Sequence, residues 1–341
     1  MKAPVHNNAS IWWFAFGYFA AYAPYGAITK ALTNGKLAPG AGLDGLAVLP
    51  LSVATSVVSM FALLKLLGWF RYAHRTQVAG IDLPTPTRWT FLSGLATAGV
   101  VLTTTLAYTF ENTSIVFMML LMRGGVLAIA PIADLVGGRV VRWFSWVALA
   151  LSAMAMAAAG FAVDTYDLSF WAVVDIAVYL GAYFLRLRFM SKLAKGGVND
   201  NRRFFVEEQM VATPAAVLGR AAFALLLPGA AGDSIRRGFL EVPFGEAALW
   251  VALVGFLSQL TGVFGGLVLL DPRENTYCVP VNRASSVLAG IVASYVLLWA
   301  GAAAAPELTE LVGASFLVGA ILVLSFGPML SKKLSARKEA A

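Results

Sequence analysis

The sequence predicts an all-α membrane protein, ten transmembrane helices in two inverted five-helix repeats, residues 1–165 and 166–341. Three observations predict it. Only 13% of the 341 residues are charged, about half the share of soluble globular chains, and the mean hydropathy is +0.77, so the solvent is a bilayer rather than water. Ten apolar stretches each reach the roughly 20 residues that a spanning helix needs. One arginine-centred segment occurs twice, as LLMRGGVLAIA at 120–130 and PVNRASSVLAG at 280–290.

The first stretch, 10–32, runs on from MKAPVHNNAS without a small-residue cleavage site, and is read as a retained helix rather than a signal peptide. Its Tyr18, Tyr22, Tyr25 and Thr29 fall at i, i+4, i+7 and i+11, a single stripe beside Pro24 that suits either a cavity wall or an interfacial belt. The breakers of LAPGAGLDG set off the second stretch, 44–70, and those of DLPTPTR the third, 89–110, where Thr97, Thr104 and Tyr108 share a face. The fourth, 113–136, holds Arg123 and leads through GGRVVRWFSW into the small-residue fifth, 143–163. On the sixth, 169–191, Asp175 shares a face with Tyr179, Tyr183 and Arg186. KGGVNDNRR precedes the seventh, 204–228, which opens with Glu207 and Glu208. LPGAAGDS precedes the eighth, 246–270, with Ser258, Gln259 and Thr261. The ninth, 276–299, holds Asn282, Arg283 and Ser286 behind Pro280, and the tenth is 308–330. Nothing is left over for a soluble domain.

Ten crossings put both termini on one side. Seventeen of the 25 Lys and Arg fall on that side, counting helix ends. Four fall on the other (Lys30, Lys36, Arg236, Arg237) and four inside spans (Lys65, Arg123, Arg220, Arg283). The positive-inside rule makes the rich side cytoplasmic, and the expected location is a bacterial inner membrane. The net charge of +7 is then a topology signal, and no nucleic-acid partner is expected. A lone Cys278 provides no disulfide framework, and His6 and His74, the only histidines, provide no metal-ligand set. Neither metal nor cofactor is expected. An intramembrane enzyme would need a nucleophile and base or a metal constellation, which the sequence does not display.

The two arginine segments align as Arg123-Gly-Gly-Val-Leu-Ala against Arg283-Ala-Ser-Ser-Val-Leu-Ala, with one residue of slippage. A second echo lies upstream, ENTSIV at 111–116 and ENTYCV at 274–279. Because five is odd, two five-helix copies insert in opposite orientations, the inverted-repeat architecture that places a substrate site near the midplane. On these residues, on GGRVVRWFSW and on the closing ELVGASFLVGAILVLS, the chain resembles the ten-helix drug/metabolite transporter superfamily, which includes EamA and nucleotide-sugar and triose-phosphate members. Gly138-Arg139 stands where bacterial members often carry an acidic residue, a departure from the amino-acid exporters of that group. The resemblance implies alternating access. By likeness to the phosphate-binding branch, it also implies that Arg123 and Arg283 face a central cavity and hold an anion.

The residues allow the same reading independently. Arg123 lies about ten residues, roughly 15 Å, from the outer end of its helix, near the centre of the hydrocarbon core. A guanidinium there costs at least about 2.5–3.5 kcal/mol on insertion scales, so it faces a wet cavity or a partner. The structural alternatives are a pair with Asp175 for Arg123, and backbone carbonyls freed by Pro280 for Arg283. The expected substrate-binding set is Arg123, Arg283, Tyr18, Tyr22, Tyr25, Thr104, Tyr108, Gln259, Asn282 and Ser286. Asp175 and Glu208 are the candidates for proton coupling, and Asp134, close to a helix end, is expected in water. The expected function is secondary-active transport of a small organic anion or phosphorylated metabolite. Export of neutral or amphipathic solutes and flipping of a lipid-linked phosphate are the alternatives. Small residues on the fifth and tenth helices leave room for a homodimer.

Overall fold

A computed structural model describes residues 9–38, 43–78, 80–107, 115–161, 168–195, 197–301 and 308–339. The helices are α1 (Ala9–Thr33), α2 (Gly45–Leu66), α3 (Arg88–Leu106), α4 (Ile115–Val136), α5 (Trp143–Gly160), α6 (Phe170–Leu193), α7 (Val198–Leu226), α8 (Gly229–Leu240), α9 (Ala248–Leu269), α10 (Asn275–Trp299) and α11 (Leu308–Glu339). Ten of them coincide with the ten apolar stretches. The larger departures are polar extensions, at the start of α7 and the end of α11.

Among the described residues, seven helices are long and apolar enough to cross a membrane: α2, α3, α6, α7, α9, α10 and α11. Trp, Tyr, Gly and Pro24 dilute the hydropathy of α1, and α5 is shorter. The protein is thus a largely helical, multi-pass membrane protein.

Two elements were not expected. Arg75–Val78 (β1) and Ile81–Pro84 (β2) form an antiparallel hairpin in register Arg75↔Pro84 to Val78↔Ile81, with Gly80 at φ 79° in its turn, a conformation glycine adopts without strain. A search for 20-residue apolar runs passes over four-residue strands. Helix α8 is twelve residues long and buries only Gly232, Ile235 and Gly238. Its Arg236 and Arg237 pair with Asp233 and Glu241, so it is too short and too charged to register as a span.

The packing partners come in matched sets. Helix α1 lies on α9 and α10, while α6 lies on α3 and α4; α2 packs on α9, α3 packs on α7, and α5 and α11 pack on each other. Glycine permits two of these contacts. A Cβ on Gly94 of α3 would stand 2.6 Å from Val211 Cβ and 2.9 Å from the Glu208 carbonyl of α7. A Cβ on Gly255 of α9 would overlap the Ser52 carbonyl of α2. At that second crossing the Ser56 hydroxyl donates to the Gly255 carbonyl at 2.7 Å.

The end of the bundle that carries the hairpin is tied by carboxylates at helix N-termini, whose first N–H groups have no partner within the helix. Asp134 of α4 is fully buried and accepts from the N–H groups of Asn275 and Thr276 at 3.0 and 2.7 Å and from the Thr276 hydroxyl at 2.8 Å. That corrects the expectation of a hydrated Asp134: it does lie near a helix end, but the start of α10 covers that end. Glu207 of α7 performs the same task for α3, accepting from the N–H groups of His74 and Thr87 and from the Thr90 hydroxyl at 2.9, 3.1 and 2.7 Å. Glu274 just ahead of α10 takes two bonds from Arg142, at 2.9 and 2.6 Å, and one from Ser145 at 2.7 Å. Burial pushes the Glu274 carboxyl up, but those three bonds outweigh it and hold the group below the usual carboxylate range.

Candidate functional site

Polar side chains from seven helices, α1, α2, α3, α6, α7, α9 and α10, meet around a central cavity of about 320 Å³. The local sequence explains why they converge. Tyrosines three and four residues apart share one helical face, and α1 and α6 each turn such a face inward.

The two faces match position by position. Tyr18 and Tyr22 lie nine and thirteen residues past the first residue of α1, and Tyr179 and Tyr183 lie nine and thirteen past that of α6. Arg123 and Arg283 each lie eight residues past the first residue of α4 and α10. The contacts match as well. Arg123 reaches the Tyr22 hydroxyl at 3.4 Å, and Arg283 donates to the Tyr183 hydroxyl at 3.0 Å. The Arg283 guanidinium also lies 5.4 Å from the centre of the Tyr183 ring, within cation–π range. Tyr18 lies within electrostatic range of both arginines and meets Tyr22 edge-on at 5.7 Å.

Neither arginine is neutralised by a carboxylate among the described residues. Both oxygens of Asp175 are buried without a hydrogen-bond partner, so the alternative pair with Arg123 is not formed. The Arg283 bond goes to a tyrosine hydroxyl rather than to carbonyls near Pro280, and its Nε is buried with no partner. Glu208, by contrast, is saturated. It takes two bonds from Arg186, at 3.0 and 3.1 Å, one from Ser93 at 2.8 Å and one from Thr97 at 2.9 Å.

Of the other expected residues, Gln259 and Asn282 line the cavity, and Asn282 donates to the Gly265 carbonyl at 3.2 Å. Ser286 bonds the Arg283 carbonyl at 2.8 Å and Thr104 the Val101 carbonyl at 2.7 Å, both turned back on their own helices and off the cavity wall. Tyr25 stacks edge-on with Tyr22, 5.6 Å between centres, one turn farther along α1. Tyr108 lies outside the described residues. Tyr179, Tyr183 and Arg186 line the cavity although sequence reasoning left them out of the binding set. A signal was present: the stripe Tyr18, Tyr22, Tyr25 recurs 161 residues later as Tyr179, Tyr183, Arg186, almost the spacing that separates the two arginines.

No family model and no curated protein matches this chain. A solved structure described only as "Crystal structure of protein" matches with a TM-score of 0.58 at 14% identity, covering 96% of this chain and 99% of that one. At that identity the likeness shows a shared fold over the whole length and nothing about activity.

Chemically, the arrangement offers hydrogen-bond donors and positive charge. A guanidinium presents a planar fork that meets carboxylate or phosphate with two bonds, and each tyrosine adds a phenolic donor and an aromatic face. Among the described residues there is no cluster of His, Cys, Asp and Glu able to hold a metal.

Proposed function

We propose that the protein is a secondary-active transporter in a bacterial inner membrane that moves a small organic anion or phosphorylated metabolite by alternating access. The observation that carries the reading is the pair of arginines at equivalent helix positions, each bonded to a tyrosine and, among the described residues, neither to a carboxylate, with Arg283 on the wall of the central cavity. An uncompensated cation in a bilayer is expensive, and an arriving anion supplies the missing charge. The matched packing of α1, α2, α3, α4 and α5 with α6, α7, α9, α10 and α11, the arginine–tyrosine pairs and the glycine crossings support two inverted five-helix repeats. Ten crossings with cytoplasmic termini agree with the lysine and arginine distribution.

The test is a thermal-shift screen of the purified protein against phosphates, nucleotide sugars, carboxylates, amino acids and cationic drugs, repeated on Arg123→Ala and Arg283→Ala. Stabilisation by an anion class that vanishes in both variants is expected. Stabilisation of wild type and variants alike by neutral or cationic compounds would make the arginines structural and the protein an exporter of such solutes. The hits then go into proteoliposomes, where uptake should be lost in Arg123→Ala.

A further inference from the structure

A third arginine inside the bundle, Arg220 of α7, has no charged partner among the described residues. It is 3% exposed. One terminal nitrogen donates to the Ala216 carbonyl at 3.2 Å and the other to the Thr105 hydroxyl of α3 at 2.9 Å, while Nε is buried with no partner. Among the described residues the ionisable side chain within electrostatic range is Tyr25. A carbonyl and a hydroxyl satisfy donors without cancelling charge, so the cation remains uncompensated.

Its position connects it to the central cavity. Val101 and Ala216 line that cavity, and Thr105 and Arg220 each lie one helical turn beyond them, away from the hairpin end. Helical side chains lean back toward their own N-terminus, and the bond to Ala216 shows Arg220 doing so. The guanidinium is not itself on the cavity wall, but it lies next to the wall residues Val101 and Ala216 at the α8-side end. Seen from α1, the tyrosine stripe has an arginine at every rung: Tyr18 lies in the field of Arg283, Tyr22 bonds Arg123, and Tyr25 lies in the field of Arg220. From Tyr18 to Tyr25 the stripe climbs about 10 Å at 1.5 Å per residue.

We propose that Arg220, with Thr105 and Tyr25, forms a second anion-binding station at the α8-side mouth of the cavity, where a phosphate- or carboxylate-bearing ligand is held before it passes to Arg123 and Arg283. The inference rests on the anion reading of the central cavity. A ligand oxygen replaces the Ala216 carbonyl and the Thr105 hydroxyl as acceptor for the two terminal nitrogens, and Nε gains the partner it lacks. The hydroxyls of Thr105 and Tyr25 then turn to donate.

The experiment is equilibrium dialysis of radiolabelled inorganic phosphate against the purified full chain in lipid nanodiscs. Wild type is expected to bind two phosphates, Arg220→Gln one and Arg283→Gln one. Thr105→Val, which keeps the guanidinium and removes a hydroxyl that donates to the bound anion, is expected to weaken one of the two sites several-fold and decides the matter if Arg220→Gln does not fold. Unchanged phosphate binding in both Arg220→Gln and Thr105→Val, with loss only in Arg283→Gln, overturns the second station and leaves the central site standing. No phosphate binding by the wild type overturns both.

Discussion

At the residue scale, a guanidinium held by a phenol keeps its whole charge, which separates Arg123 and Arg283 from Arg186. Arg283→Lys retains the charge but loses the planar fork, so anion affinity should fall about tenfold, the equivalent of about 1.4 kcal/mol. Arg283→Met should abolish binding; isothermal titration with the ligand found in the screen measures both. Glu274 offers a pH test. Its carboxyl is held below the usual range in the folded protein, so its contribution is complete above about pH 4.3 and disappears as pH falls through the depressed folded value. Glu274→Gln should cost about 2 kcal/mol near neutrality, a buried charge-assisted bond discounted because Arg142 is 42% exposed. The difference in melting temperature between wild type and variant should begin to shrink as pH falls below about 4.3 and vanish only below the depressed folded value. The arginines were legible in the sequence because a charge in an apolar run has few explanations. Their tyrosine partners were not, because periodicity gives a side chain's face and not its neighbour. Asp134 was misplaced for the same reason.

At the element scale, the bilayer itself makes the long apolar helices legible, since a span must be apolar over a fixed length. The hairpin and α8 escape that filter because neither has to cross anything. Helix contact distances are also hidden in the sequence, where Gly94 and Gly124 look alike. In the fold, Gly94 faces α7 at van der Waals distance, while a Cβ on Gly124 meets nothing within 4 Å. Gly94→Ala should therefore destabilise by about 1–3 kcal/mol through overpacking. Gly124→Ala should be neutral or slightly stabilising, because alanine favours helix by about 1 kcal/mol. Thermal unfolding in one detergent compares them directly.

At the scale of the whole molecule, the proposed repeat rests in the sequence on Arg123 and Arg283, and the tyrosine stripes, which a search for charged residues passes by, add support to it. The topology it implies can be checked with reporter fusions. A fusion after Ala341 and one between β1 and β2 should report the cytoplasmic side, and one within 302–307 the opposite side. An opposite result at any of the three would break the ten-crossing arrangement. The carboxylate caps at the hairpin end have a kinetic consequence. If the proposed transport cycle opens the cavity there, Asp134 and Glu207 must release the starts of α10 and α3, and each release uncovers two backbone N–H groups at once. Under the proposed transport cycle such a step would have a high barrier and a steep temperature dependence, and turnover would be set by how long this end stays shut. On that proposal, neutralising one cap, as in Asp134→Asn, would shorten the wait without touching the ligand.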